Sequence, residues 1–252
     1  MKEKIELNAE AISLRKQFGE DIYSPIDIFS ILYSNEDLTI VFYPMSSRVS
    51  GICIKEGNNK IIGINSTSTY GRQRFTMAHE LYHLFFHEDF KSIVSSADLE
   101  KNKDPQEVEA DMFASYFLAP YESLNDFIKN KLGKVKHDLE VNDVVKIEQH
   151  YGLSRQATLW RLIKDGYLSH EKANTMKTGI ISSALKLGFD DKLYRPTPED
   201  KQYITLGKYI KLAEELKERD LISNGKYEEL LLNGFRGDMV YGLNTVGEES
   251  YD

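Results

Sequence analysis

Apolar residues recur along this chain with two periods, and the changes between them mark its elements. "NAEAISLRKQFG" (8–19) has a helical stripe, with Asn8 as N-cap and Gly19 as stop. "SPIDIFSILYS" (24–34) predicts a short second helix, Ser24 capping it and Pro25 at its first position. The period then falls to that of extended chain. Residues 38–43, 50–56 and 61–65 are rich in β-branched and aromatic side chains, and "GNNK" makes 50–65 a hairpin. Helical spacing returns over 71–87, and 89–103 has weak periodicity and reads as a loop. A further helix is predicted over 104–120, from the Asp104–Pro105 start to Pro120. Beyond it the pattern is helical to about Leu168 and again over 175–188 and 205–235, with "YRPTPED" (194–200) as the late break. No repeat or low-complexity tract interrupts this order. The expected class is α+β: a small sheet and hairpin packed on helices, then a mostly helical C-terminal region. The expected divisions are a core over 1–135, a helix-turn-helix-like segment over 136–170 and a helical extension over 171–252.

Composition narrows the picture. A chain of 252 residues, 41% hydrophobic and 29% charged, can bury a sizeable core. No window approaches the ~18 apolar residues of a membrane span. "MKEKIELNAEAISLRKQFG" has no apolar signal core, and the single cysteine, Cys53, excludes an internal disulfide, so a cytoplasmic location is expected. Cys53 itself reads as a small buried hydrophobe. The net charge of −8, with dispersed positives, argues against a protein that coats nucleic acid or an anionic membrane.

The 71–87 helix brings in chemistry. It contains "HELYH", with His79 and His83 bracketing Glu80. Residues four apart lie about 40° apart around a helix, so both imidazoles can reach one ion. Zinc hydrolysis needs such a pair, with a carboxylate beside it to take a proton from water acidified by the metal. Catalytic zinc usually has a third protein ligand. Three acids open the 104–120 helix: Glu107, Glu109 and Asp111. At about 100° per residue, Glu107 and Asp111 share the side of Ala110, Ala114 and Leu118, whereas Glu109 points nearly opposite. Glu107 is therefore the expected third ligand, its alternative role being that of an exposed first-turn acid favoured by the helix dipole. Asp111, one turn on, would accept the free N–H of a ligating histidine. Two imidazoles and a carboxylate favour one Zn2+ without excluding manganese or iron.

"INSTSTYGRQRFTMAHELYHLFFH" followed by "EVEADMFASYFLAP" resembles the ImmA/IrrE family of metallopeptidases. The likeness is strong over about 61–120 and implies a zincin-like core in which the glutamate opening the second motif, here Glu107, completes the metal site. It also implies a cytosolic regulatory protease that cleaves a helix-turn-helix repressor to switch on mobile-element or stress genes. The residue before the second histidine is commonly glycine in that family and is Tyr82 here, which can pack in the core or close over the site. His87, two turns after His79, can touch substrate or oxyanion, or serve as a C-terminal histidine favoured by the helix dipole. Further candidates to hold an oxyanion are Tyr70, Tyr116, His137, His150 and His170, and the sequence does not choose among them.

"VVKIEQHYGLSRQATLWRLIKDGYL" (144–168) reads as helix, turn and helix, with Gly152 in the turn and Ser154 as N-cap. Operator reading would fall to Arg155, Gln156, Thr158 and Arg161. Over 142–172, however, five basic residues face four acidic ones, too little for firm phosphate binding. A hairpin that packs on the core or grips a partner is the favoured reading, with Trp160 and Leu162 in the core. Two functions follow: a zinc endopeptidase acting on a protein substrate, or a non-proteolytic regulatory protein, toxin–antitoxin-like, whose metal is structural and which binds a repressor or DNA.

Overall fold

The computed structural model describes residues 1–33, 35–87, 90–98 and 104–242. Its centre is a five-stranded mixed sheet in the order β4-β2-β3-β1-β5. The strands are β1 (Leu38–Tyr43), β2 (Val49–Glu56), β3 (Asn59–Asn65), β4 (Ser92–Ser96) and β5 (Ile204–Gly207). β2 and β3 form the expected antiparallel hairpin, with Cys53 opposite Ile62, and β1 runs parallel to β3 with Ile40 opposite Ile62. Cys53, Ile40, Ile62 and Ile64 are all fully buried, which fixes the register because a one-residue slip would turn them to solvent.

α3 (Tyr70–Phe86) lies across β2 and β3, and α4 (Pro105–Leu118) packs on it. Every residue of α3 from Gly71 to Leu84 is buried, so its polar side chains must find partners inside the protein. α1 (Lys4–Gln17) covers the other side of α4. The small residues Ala110 and Ala114 of α4 are completely buried, as close helix packing requires.

Several boundaries differ from the pattern, each for a local reason. α1 starts five residues earlier than expected, because Glu3 and Glu6 form a reciprocal capping box. Asn8 lies within the helix, and its Oδ1 accepts from the backbone of Tyr121 (3.0 Å). Gly19 takes the left-handed conformation (φ 79°) just past the helix end. α2 (Ile28–Tyr33) begins after Asp27, whose Oδ1 accepts from Phe29 N, while the carbonyl of Ser24 accepts from the Arg15 guanidinium (2.5 Å). β4 arises inside the expected loop of 89–103, where Ser-rich, half-exposed edge sequence hides the strand signal; residues 89 and 99–103 of that loop lie outside the described residues.

After α4 come α5 (Tyr121–Asp126), a π-helical turn (Phe127–Lys131), α6 (Val141–Tyr151), α7 (Arg155–Lys164), α8 (His170–Thr175) and α9 (Ile180–Lys186). Gly152 is left-handed (φ 66°), and a Cβ there would meet the Arg74 Nε at 2.4 Å. Glycine thus allows both the turn and the approach of Arg74, which donates to the carbonyls of Gly152 (3.1 Å) and Ile26 (2.6 Å). The C-terminal region, expected as helices, also returns β5 to the sheet antiparallel to β1, before α10 (Lys208–Glu218), α11 (Asn224–Asn233) and α12 (Gly237–Tyr241). Residues 243–252 of that region lie outside the described residues. Among the described residues no helix is long and apolar enough to cross a membrane.

Candidate metal centre

α3 and α4 meet where His79 and His83 face Glu107. The two Nε2 atoms are 3.1 Å apart, and the Glu107 carboxylate places Oε2 3.4 Å from His79 Nε2 and Oε1 3.2 Å from His83 Nε2. A tetrahedral ion with bonds of about 2.0–2.1 Å holds its ligand atoms about 3.3 Å apart. The donor set therefore fits a small ion in both chemistry and spacing. Asp111, one turn beyond Glu107, puts Oδ1 2.9 Å from His79 Nδ1. With an ion bound, that contact would hold the one remaining His79 proton on Nδ1 and leave the Nε2 lone pair for the ion.

Glu80 lies beside this group on the sheet side of α3, completely buried, with neither carboxylate oxygen hydrogen-bonded. Gly51 of β2 makes room for it: a Cβ there would come within 2.8 Å of Glu80 Oε1 and 2.6 Å of Thr76 Cγ2. Burial drives the Glu80 carboxyl up to about 7; the His79 charge and the Ser95 hydroxyl, close by but outside hydrogen-bond geometry, pull it down, and the Glu107 and Asp111 charges push it further up. Burial works against a charged His79, but Asp111 and Glu107 outweigh it and raise the imidazole to about 9. Glu107 also resists burial, since the two histidines hold its carboxyl well below the usual range. The site thus separates its two carboxylates: Glu107 is strongly acidic and turned to the histidines, Glu80 a weak acid without a partner.

Residues 26–162 match the family model Peptidase_M78, the IrrE N-terminal-like domain. The chain belongs to this family. No curated protein matches it significantly. The M78 match begins just before α2 and ends within α7, and it contains both motif helices and four of the five strands. A metallopeptidase-type function follows from the family, and the fold is the zincin-like α+β arrangement.

The structure brings His79, His83, Glu107, Glu80 and Asp111 to one place. Tyr82 takes the core role of its two alternatives. It is fully buried, stacks on Phe86 (5.4 Å, 25°) and donates from its hydroxyl to Glu109 Oε2 (2.8 Å), so it neither covers the site nor offers its hydroxyl to substrate. His87 places Nδ1 2.9 Å from His83 Nδ1, behind the cluster. The other oxyanion candidates are engaged or placed elsewhere. Tyr116 lies under the Arg161 guanidinium, Tyr70 stacks on Phe29, His150 stacks on Phe127, and His137 and His170 are exposed.

Three contributors were missed. Glu109, on the opposite side of α4 from Glu107, is buried beneath the chain start, where it also accepts from Lys2 N (2.6 Å). Ser95 comes from the unforeseen β4. Gly51 carried a readable signal, since a glycine inside a strand often marks a close approach. The Tyr82–Glu109 pair gives a stability test. Tyr82→Phe removes a charge-assisted bond to a buried carboxylate and should cost about 1.5–3 kcal/mol in urea unfolding, with metal content unchanged.

α6 and α7 form the expected hairpin, and Ser154 Oγ accepts from Ala157 N. Its polar residues mostly face inward. Arg155 pairs with the fully buried Glu148 and also donates to Met176 O (2.7 Å) and Ser183 Oγ (3.0 Å). Arg161 donates to Asp165 Oδ2 (2.6 Å) and Ser115 Oγ (3.1 Å), Thr158 is buried, and Gln156 is exposed. Trp160 and Leu162 are buried as expected. Burial raises the Glu148 carboxyl, and Arg155 opposes that rise. Arg155→Met would strand this charge and should destabilise the fold by about 3–5 kcal/mol in thermal unfolding.

Proposed function

We propose that this chain is a zinc-dependent endopeptidase of regulatory type, in which His79, His83 and Glu107 hold the ion, Asp111 orients His79, and Glu80 is general base and then acid. The observation that carries this reading is the convergence of His79, His83 and Glu107, the two Nε2 atoms 3.1 Å apart and one Glu107 oxygen 3.2–3.4 Å from each, beside a buried carboxylate with no hydrogen-bond partner. A zinc ion held there would supply Lewis acidity, polarising a scissile carbonyl and acidifying water. The chain supplies the rest. Glu80, a weak acid by burial, can take a proton from the attacking water on its carboxylate and return it to the leaving amine.

The substrate we propose is a helix-turn-helix repressor, which the resemblance of 61–120 to ImmA/IrrE proteins supports. Incubation with helix-turn-helix repressors from the same genome, with and without a chelator, tests this. Cleavage that stops with chelator and resumes with zinc is the expected result, and an intact repressor after incubation with zinc-loaded protein refutes that substrate.

One observation favours a second reading. His79, His83 and Glu80 are almost wholly buried, as in a structural metal tie between two helices. A regulatory protein that grips a repressor without cutting it would then keep its biological activity in Glu80→Ala. The unpartnered Glu80 supports the catalytic reading, because a structural tie gains nothing from a buried carboxylate that binds nothing.

A further inference from the structure

The two histidines of the cluster have different supports. Behind His79 stands a carboxylate, Asp111. Behind His83, where metal sites commonly have a carboxylate or a carbonyl, stands a second imidazole: His83 Nδ1 and His87 Nδ1 are 2.9 Å apart. We infer that His87 is the positioning residue for His83, a neutral hydrogen-bond acceptor that fixes its tautomer and aims its Nε2 at the ion. This inference rests on the proposed zinc site.

Proton placement follows from elementary chemistry. A short N···N contact between imidazoles needs one N–H and one lone pair. If His83 gives its Nε2 lone pair to a metal, its proton is on Nδ1 and must be the donor. His87 Nδ1 is then bare, and its own proton is on Nε2. The acceptor is neutral, so His83 is the less electron-rich of the two imidazole ligands.

The surroundings hold His87 in that pose. It is the first residue beyond α3, extended at φ −105° and ψ 127°, and its N–H returns to the His83 carbonyl (3.3 Å). Lys55 Nζ donates to its carbonyl (3.4 Å). Its ring meets Tyr82 nearly edge-on (5.0 Å, 76°), and Tyr82 is itself fixed by Glu109. Tyr82 thus forms one wall of the His87 position.

The test separates an acceptor from mere bulk. His87→Asn offers Oδ1 at nearly the same place as Nδ1, while His87→Leu fills the space without an acceptor. Zinc affinity is read by chelator competition, and the cobalt-substituted proteins are compared by visible absorption. His87→Leu should bind zinc 10–100-fold more weakly and alter the cobalt spectrum, and His87→Asn should recover most of the affinity and the wild-type spectrum. Thermal unfolding of both apo-proteins checks that the comparison is between folded proteins. Equal affinity in His87→Leu and wild type, or equal weakness in the two variants, overturns the inference. If the wild type itself takes up no zinc, the site reading fails as well, so the two failures are distinguishable.

Discussion

Glu80→Gln should retain zinc at wild-type stoichiometry and lose peptide cleavage by roughly a hundred- to ten-thousandfold, the range for removing a positioned general base. Glutamine keeps the size of the side chain, so the close approach to Gly51 survives, and Glu80 is not among the three converging donors. What changes is proton traffic. The carboxylate is buried, has no hydrogen-bond partner and is raised to about 7, poised to gain and lose a proton near neutrality. An amide in its place does neither. The variant should also unfold no more readily than wild type, because no hydrogen bond of the native carboxylate is lost. Zinc content by elemental analysis and cleavage by gel, on the same preparation, check both halves.

His83→Ala should lose the metal and, with it, all zinc-dependent cleavage. Its Nε2 is 3.1–3.2 Å from the two other donors, and two donors are too few for a closed site. Alanine also leaves Glu107 with one of the two histidines that hold its carboxyl low, and leaves His87 Nδ1 without its neighbour. The loss should therefore exceed that of any substitution behind the ligands. Elemental analysis after gel filtration, with less than a tenth of wild-type zinc expected, checks this. Zinc retained at wild-type level would remove His83 from the ligand set.

The cluster was legible because helical spacing is a strong constraint. His79 and His83 must share a side of α3, and the angle between Glu107 and Glu109 must separate them on α4. That geometry pointed Glu107 and Asp111 toward the histidines, where the structure has them. It gave no hint that Glu109 is buried too, since its partners come from Tyr82 and from the chain start, over a hundred residues away. β4 was illegible for a related reason. This short edge strand sets Ile93 and Val94 side by side among three serines and buries only Ser95, so it shows no alternation, and pairing with β2 creates it. β5 likewise owes its state to β1.

The hairpin of α6 and α7 shows the opposite case. Turn chemistry at Gly152 and Ser154 made its shape readable, but the charge count could say only that a DNA-reading face is weak. Arg155 and Arg161 are satisfied partly by the nearby Glu148 and Asp165 and partly by Met176, Ser183 and Ser115, which lie 21 to 46 residues away and leave no local signature. His87 was visible as a third histidine on one helix. Its relation to His83, four residues before it, becomes specific only through the 2.9 Å contact behind the cluster.

In the proposed mechanism, His79, His83 and Glu107 hold a zinc ion for a reaction in which Glu80 moves the proton. The most direct measurement is a time course of repressor cleavage by zinc-loaded wild type and zinc-loaded Glu80→Gln, with zinc content measured on both. Equal zinc in the two proteins, cleavage by the wild type that a chelator abolishes, and cleavage by the variant slowed at least about a hundredfold are the expected results. Equal cleavage by Glu80→Gln, or undiminished wild-type cleavage after the metal is stripped, would contradict it.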